Sequence, residues 1–462
     1  MRVIKPRKVP VGLRVREVQY FVQPGEIFSW MCHPLTMPHV VAGGATGDRA
    51  RDREMNVNEH RLWSLLSEVN EFGALETGGV ERLAWTDSEI AAREWLAQRC
   101  KVEGLDVSYD EAGNVWAFAG SRPAVMLGSH LDTVPNGGRF DGALGIVSAL
   151  EALLSARETK TPGWDRLGLL CFTDEEGVRF GLGMTGSRAV AGDIEPDEVR
   201  SATTSDGVRL TDEMETAGFD SGSIGRVSSR RNEVSAYLEV HVEQGRRLER
   251  AGVAAGIVTG IVGLSHWRME VIGEANHAGT TMAEDRKDAL IPVAAAALEA
   301  QRTMRETEGL VATVGEAEVA NGATNIVPGH ARASLDVRSL DERKIDEAND
   351  RIMAVARSTA ERNGCELRIQ ETKRLHAAPM GPPVLDAMRA AARDLDLDAP
   401  EMASMAGHDA MTLTKGGVEC GMVFVRSESG ISHSPRENSS QADCVLGASL
   451  LATAALRLAG RS

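Results

Sequence analysis

The sequence predicts an α/β fold with a mostly parallel sheet, interrupted by a second, smaller unit with its own sheet. Helices and short apolar strands alternate from about residue 58 onward, as in proteins built on a parallel sheet. Polar residues follow several of these strands, and in such folds functional groups gather at the carboxyl ends of the strands. Between about residues 259 and 372 the order changes to βαββαβ, which is typical of a ferredoxin-like sandwich.

Local patterns predict the elements of the first unit in chain order. Thr86 and Asp87 precede a helical run, AAREWLAQRC, because such residues cap the amino termini of helices. Apolar strands are predicted at residues 124–129 and at LGLLCF, with a helix from about residue 142 to 157 between them. The segments YLEVHVEQG and GMVFVR are typical of two further strands.

The second unit is predicted from six elements between residues 259 and 372. They are strand WRMEVIG, a helix at 286–302, a strand from Leu310, strand ARASLDVR, a helix at 342–362 and strand CELRIQE. We therefore expect an extension at residues 1–54 outside the fold, a first domain made of residues 55–258 and 373–462, and an inserted domain at residues 259–372. After the insertion, a final helix, strand and helix complete the first domain.

Composition limits the classes of function. The 462 residues include 51 Lys or Arg against 67 Asp or Glu, a formal charge of −16. Nucleic acids and anionic membranes attract basic surfaces, so neither is expected as a partner. No stretch approaches the run of about 18 apolar residues typical of a membrane span. The six cysteines include no CxxC pair, which favours a reducing compartment, and we expect the cytoplasm.

Four segments near predicted strand ends carry imidazole and carboxylate groups. Each segment has a structural explanation, such as a helix cap or a solvated carboxylate pair, but their coincidence at strand ends favours a common site. Imidazole with carboxylate suits zinc, manganese or cobalt. The residues concerned are His130 and Asp141 around an NGG turn, Glu175 and Glu176 after LGLLCF, His241 within YLEVHVEQG, and His433 after GMVFVR.

Further candidates support or accompany that site. Asp132 can bond the nitrogen of His130 that faces away from a metal. Neighbouring side chains at a strand end point in different directions, so one carboxylate of the Glu pair can bind metal while the other handles a proton. In the second unit, Asn325 and Arg338 could hold a carboxylate, with solvent exposure of Arg338 as the equal alternative.

A glycine pattern raises a rival function. Gly181, Gly183 and Gly186 spell GxGxxG, the pattern of dinucleotide-binding loops. In those loops the glycines close the turn directly after the strand, whereas here a charged segment separates them from Thr173. An oxidoreductase is therefore a weak rival.

The ordered motifs resemble those of a known family. GSHLDTVPNGGRFDG, FTDEEGVRF, EVHVEQG, NHAGTT, TNIVPG, DVR, AGHDA and GISHSPRE are similar to the motif series of the two-metal aminoacylase and carboxypeptidase-like family, in its carbamoylase branch. That branch holds N-carbamoyl-L-amino-acid hydrolases, β-ureidopropionases and allantoate amidohydrolases. The resemblance implies hydrolysis of the carbamoyl C–N bond of a linear ureido acid, with an N-carbamoyl-L-amino acid as first choice, to the amino acid, ammonia and carbon dioxide.

The resemblance also implies roles for individual residues. Two divalent ions per protomer would share Asp141, Glu175 would be the general base and Asp132 would orient His130. One ion would be held by His130, Asp141 and His241, and the other by Asp141, Glu176 and His433. The substrate would be bound by Gln244, Asn325, Arg338 and, in an accessory place, His408.

A homodimer through the inserted domain is implied as well. His277 would reach the active site of the partner protomer and steady the oxyanion, while the inserted domain would close as a lid. Allantoate and N-carbamoyl-β-alanine stay open as substrates, because they also carry a ureido group and a carboxylate. A peptidase or deacylase is the more distant alternative. A binding protein without activity would lack part of the ligand set, which is complete here.

Overall fold

The structure, a computed structural model, describes residues 57–460, so the predicted extension at residues 1–54 lies outside the described residues. The strands are β1 (Asp106–Tyr109), β2 (Val115–Phe118), β3 (Ala124–His130), β4 (Leu167–Phe172), β5 (Val234–Val242), β6 (Ala255–Ile261), β7 (Gly263–Ile272), β8 (Asn276–His277), β9 (Leu310–Thr313), β10 (Ala317–Val319), β11 (Ile326–Val327), β12 (His330–Ser339), β13 (Glu366–Leu375), β14 (Ala378–Pro379), β15 (Glu401–Ser404) and β16 (Cys420–Val425). The helices are α1 (Glu59–Val69), α2 (Asp87–Val102), α3 (Ala143–Thr159), α4 (Thr185–Ala191), α5 (Pro196–Ser201), α6 (Leu210–Thr216), α7 (Arg247–Ala251), α8 (Leu290–Glu306), α9 (Glu342–Arg362), α10 (Pro382–Asp394), α11 (Asp409–Lys415) and α12 (Gln441–Ala459).

The larger sheet is parallel at its centre. Its order is β1-β2-β4-β3-β5-β16-β6-β14, with β15 also paired to β6. The four central strands β4, β3, β5 and β16 run parallel, and the antiparallel pairs lie toward the edges. Strands β3, β4 and β16 are buried along their whole length, as expected when helices cover both faces of a parallel sheet. The predicted fold class is confirmed.

The smaller sheet follows the predicted βαββαβ order. Strands β7, β9, β12 and β13 with helices α8 and α9 make up this order, and the strands lie side by side as β13-β7-β12-β9, with β10 also paired to β12. Along β12 the residues alternate between buried and partly exposed, because one face packs on α8 and α9. The domain boundaries at residues 259 and 372 stay a prediction.

Three local expectations differ from the structure. Helix α8 begins at Leu290 rather than at Arg286, because the guanidinium of Arg286 bonds back to the carbonyls of Ala278 and Thr281 at 2.6 and 3.1 Å. The carboxylate of Asp288 then accepts the N–H of Leu290 at 3.0 Å. After the smaller sheet the chain forms β15 and α11 as well as the predicted helix, strand and helix, and His130 is the last residue of β3 rather than just beyond it.

Helix α12 is an exception to the expectation that no apolar stretch approaches the length of a membrane span. By length and composition alone it could cross a membrane. In the fold most of it is buried, and it packs on α3, α10 and β16. Its apolar surface therefore belongs to the core of the larger sheet, which explains why a helix with little amphipathic pattern forms there.

Candidate metal centre

The carboxyl ends of the four parallel strands bring the predicted metal ligands together. β3 ends at His130, His241 lies near the end of β5, and the carboxylates of Glu175 and Glu176 follow β4. His433 lies in the loop after β16. Because β4, β3, β5 and β16 are neighbours in the sheet, residues distant in sequence meet at one edge.

Asp141 lies at the centre of this cluster. Its Oδ1 is 2.9 Å from Nε2 of His241 and 3.5 Å from Nε2 of His130. Its Oδ2 is 3.3 Å from Nε2 of His433, which in turn is 3.7 Å from Oε2 of Glu176. Two groups of three candidate ligands therefore share this one carboxylate: His130, Asp141 and His241, and Asp141, Glu176 and His433.

The imidazoles have the hydrogen bonds that ligands need. Nδ1 of His130 lies 3.0 Å from the carbonyl oxygen of Asp132, and Nδ1 of His241 lies 2.9 Å from that of Val242. These bonds occupy Nδ1, so Nε2, which faces Asp141, is the nitrogen that can exchange its proton for a cation. Nε2 of His130 is buried and has no hydrogen-bond partner among residues 57–460, which fits a cation ligand rather than a core histidine.

Electrostatics also favour a cation here. Burial lowers the pKa of His241, but Asp141 outweighs burial and raises it to about 9. Burial likewise opposes the effect of Glu175 on His130, whose pKa is nevertheless raised well above its usual range. Burial first, then Asp141, raises the pKa of Glu176 to about 7. Such an excess of negative charge binds protons, or divalent ions in competition with them.

Glu175 lies beside the ligands without belonging to either group of three. Its Oε2 is 3.8 Å from Nε2 of His130, and burial raises the pKa of its carboxyl well above the usual range. The backbone N–H groups of Glu175 and Glu176 both donate to the carboxylate of Asp132, each at 3.1 Å. The carboxylate of Asp132 is 3.5 Å from Nδ1 of His130, whereas the backbone carbonyl oxygen of Asp132 is 3.0 Å from the same nitrogen.

Two of the predicted substrate residues border the cluster. Nε2 of Gln244 donates to Oδ2 of Asp141 at 2.9 Å and lies 3.4 Å from Nε2 of His433. The ring of His408 meets that of His241 edge to face at 4.4 Å between centroids, and its Nε2 lies 2.9 Å from Oγ of Ser404.

The other three lie on the smaller sheets and are not brought to the cluster. The guanidinium of Arg338 pairs with Asp336 at 2.9 Å and donates to the carbonyl of Met405 at 3.0 Å. His277 and Asn325 lie at the ribbon formed by β8 and β11, and His277 is exposed. In the described part of the chain, neither His277 nor Asn325 has a side-chain hydrogen bond or ion pair with the candidate metal ligands.

Comparison with known proteins identifies the family. The model of "Peptidase family M20/M25/M40" matches residues 126–457. An N-carbamoyl-L-amino acid amidohydrolase from Geobacillus stearothermophilus is 36% identical over 86% of this chain and 97% of that protein. The chain therefore belongs to peptidase family M20/M25/M40.

Two further proteins are similar to this chain in sequence or fold. The allantoate amidohydrolase of Bacillus subtilis is 32% identical over 84% of this chain and 95% of that protein. The crystal structure of a hydantoinase/carbamoylase family amidase from Burkholderia multivorans has a TM-score of 0.81 at 29% identity, covering 88% of this chain and 99% of that one. The predicted family is confirmed, and amidohydrolase is the class that the two curated relatives share.

Glu437, for which the sequence predicts no role, lies beside Asp141 in the structure. It is 1% exposed, and its carboxylate accepts the N–H groups of Phe140 and Asp141 at 2.8 and 3.0 Å and the hydroxyl of Ser432 at 2.7 Å. The acid at the end of GISHSPRE was the available signal, but a Glu after Ser-Pro-Arg is typical of a solvated loop.

A third group of possible ligands lies under the cluster. Glu239, His241 and His408 also have ligand atoms near one another. Glu239, however, already accepts the hydroxyls of Ser129 and Tyr237 at 2.7 and 3.3 Å, and Nε2 of His241 faces Asp141. We therefore interpret this third group as a buried, hydrogen-bonded layer that supports His241, and not as a further metal site.

Proposed function

We propose that the protein is a metal-dependent amidohydrolase that cleaves the carbamoyl C–N bond of a linear ureido acid, with N-carbamoyl-L-amino acids as the preferred class. The observation that carries this proposal is the carboxylate of Asp141 shared between two groups of ligands, with Glu175 beside them. The names of the curated relatives support the ureido-acid substrate.

The proposed ligands suit two divalent ions. His130, Asp141 and His241 would hold one, and Glu176 and His433 would complete the second with Asp141. Imidazole and carboxylate ligands suit zinc, manganese or cobalt. When bound, such a pair of ions lowers the pKa of a water molecule and polarises the substrate carbonyl.

Glu175 acts as the general base in this proposal. Its carboxylate takes a proton from the attacking water and delivers it to the departing nitrogen of the amino acid. The carbamate left on the other side of the cleaved bond then breaks down to ammonia and carbon dioxide. Burial, which keeps its pKa well above the usual range, suits a group that must both accept and donate a proton. Asp132 holds the backbone of this residue in place through the N–H bond described above.

The substrate is bound by groups from both sheets. Gln244 and His408 border the cluster, and Arg338 grips the substrate carboxylate with its two-pronged guanidinium. In the structure that guanidinium makes a two-pronged pair with the carboxylate of Asp336, which the substrate carboxylate would replace. Asn325 joins Arg338 when the inserted domain, residues 259–372, closes over the site.

His277 completes the site of a second protomer in a homodimer. Its Nδ1 accepts the N–H groups of Gly279 and Thr280 at 3.0 and 3.2 Å, which leaves Nε2–H free to donate to an oxyanion. Five large apolar side chains in this part of the chain are exposed, and a partner protomer would remove them from water. They are Met282, Leu290, Ile291, Leu298 and Ile326.

We place the enzyme in the cytoplasm. The five cysteines among the described residues are all free, and four of them are buried. Free thiols of this kind persist in a reducing compartment.

A substrate panel tests the proposal. Metal-free enzyme is given zinc, manganese or cobalt and then N-carbamoyl-L-amino acids, allantoate, N-carbamoyl-β-alanine or dipeptides, and ammonia and amine release are measured. We expect ammonia from N-carbamoyl-L-amino acids only after metal is added. Faster turnover of allantoate would favour the function of the Bacillus subtilis relative, and cleavage of dipeptides alone would contradict the proposal.

A further inference from the structure

We infer that Glu437 is a positioning residue that keeps Oδ2 of Asp141 available for a cation by taking the hydroxyl proton of Ser432. The inference rests on the ligand assignment of the proposed function. It adds a residue outside both groups of ligands that decides how well the ion of the Asp141, Glu176 and His433 group is held.

The carboxylate of Glu437 joins the two loops that carry the ligands of this group. Its Oε1 accepts the N–H groups of Phe140 and Asp141, and its Oε2 accepts the hydroxyl of Ser432, the residue before His433. A Cβ atom on Gly138 would lie 2.1 Å from Oε1, so the backbone packs directly on this carboxylate. Glu437 is therefore fixed in position from both sides.

Ser432 has two carboxylates within reach but only one proton to donate. Its Oγ is 2.7 Å from Oε2 of Glu437 and 3.3 Å from Oδ2 of Asp141. The shorter distance is that of a charge-assisted bond, so the proton goes to Glu437. As an acceptor, the same Oγ receives the amide of Gln244 at 3.2 Å. Oδ2 of Asp141 already accepts the amide of Gln244 at 2.9 Å, and it is thus spared a second donor, the hydroxyl of Ser432, that would compete with a cation for its remaining lone pair.

Replacing Glu437 by Gln would reverse this arrangement without changing the size of the side chain. The Gln oxygen could still accept the two backbone N–H groups, but its amide would donate to Oγ of Ser432. The hydroxyl proton would then turn to Oδ2 of Asp141. Only the second ion should be affected, because His130 and His241 face Oδ1 of Asp141.

Metal binding to the full-length protein tests the inference directly. Apo-protein is titrated calorimetrically with zinc and with manganese, and bound metal is counted after dialysis, for wild type, Glu437→Gln, Ser432→Ala and the double variant. For Glu437→Gln we expect the second ion to bind about 10- to 100-fold more weakly, the usual effect of losing an outer-shell partner, with the first ion unchanged. The double variant should regain most of the lost affinity, because it has no competing hydroxyl.

Controls separate this role from simple stabilisation and from loss of charge. Glu428→Gln removes one charge from an exposed side chain in the same region and should bind both ions like wild type. Equal affinity of wild type and Glu437→Gln for both ions would overturn the inference. The inference would also be overturned if the double variant bound the second ion no more tightly than Glu437→Gln does. It would be overturned as well if Glu437→Gln lost both ions and no longer showed a cooperative melting transition. If wild type itself fails to bind two ions, the proposed function fails instead.

Discussion

Asp141 determines how the polar groups of the site divide. Its two oxygens face different imidazoles, with His241 at 2.9 Å from Oδ1 and His433 at 3.3 Å from Oδ2. Glu175 stands apart at 3.8 Å from His130. The carboxylate of Asp141 would therefore be shared by two ions, while that of Glu175 stays free to accept and donate a proton.

Glu175→Gln should separate catalysis from metal binding. We expect kcat to fall by roughly 10²–10⁴-fold, the usual contribution of a general base, while metal content stays as in wild type. Steady-state kinetics and elemental analysis measure both quantities. Glu176→Gln, in the neighbouring position, should lower metal content as well. Full activity of Glu175→Gln would refute the base assignment.

Arg338→Ala should weaken substrate binding. We expect KM for carboxylate substrates to rise roughly 10- to 100-fold, as for a lost hydrogen bond between charged groups. Arg332→Ala is the matched control, because Arg332 lies on the same face of β12 but pairs with Glu270 at 3.1 Å. If KM were unchanged in Arg338→Ala, the carboxylate would be bound elsewhere.

The start of α3 shows how an element constrains the site. Gly142 follows Asp141 directly and has a φ of +62°, in the left-handed region. A Cβ atom there would lie 2.5 Å from Cε1 of the His130 ring. The helix can begin at Ala143 and still leave room for the imidazole only because this residue is glycine.

Gly142→Ala should therefore reduce metal affinity beyond any effect on stability. The substitution adds left-handed strain of about 1–2 kcal/mol and pushes on the ring of His130. Gly104→Ala is the control, since Gly104 has a φ of +75° with no atom within 4 Å of an added Cβ. Both variants should have a lower melting temperature, but only Gly142→Ala should bind metal more weakly in calorimetric titration. Equal metal binding by the two would contradict this view.

Across the whole molecule, the two main sheets divide the proposed tasks. The larger sheet carries the proposed metal ligands and Glu175, whereas Arg338, Asn325 and His277 lie at the smaller sheets. Ile291 and Leu298 share one face of α8 and are 43% and 70% exposed, and in the proposed homodimer a partner protomer would cover this face.

Mixed dimers test whether His277 acts across the interface. Glu175→Gln and His277→Ala should each be nearly inactive as homodimers. When the two variants are unfolded together and refolded, each mixed dimer regains one site with Glu175 from one protomer and His277 from the other. The mixture should then be active in a ureido-acid assay, with separately refolded variants as the control. A mixture as inactive as its components would place His277 in its own protomer's site or outside catalysis.

The family, the alternation of strands and helices and the ligand candidates could be predicted from the sequence. Apolar runs such as LGLLCF identify buried strands, and the polar groups beside them lie at the edge of a parallel sheet. The order of motifs in the chain was enough to indicate the family, which the comparisons confirm.

The tertiary structure alone decided which polar groups share partners. Glu437 reaches Phe140 across 297 residues, and Ser432 bonds to it beside Asp141. Such contacts have no local period, because they depend on where distant loops cross at a sheet edge. The start of α8 was missed for a related reason, since side-chain bonds of Arg286 to nearby carbonyls compete with the helix. Hydrophobic periodicity thus predicts elements and their burial, whereas hydrogen bonding between loops determines the geometry of the site.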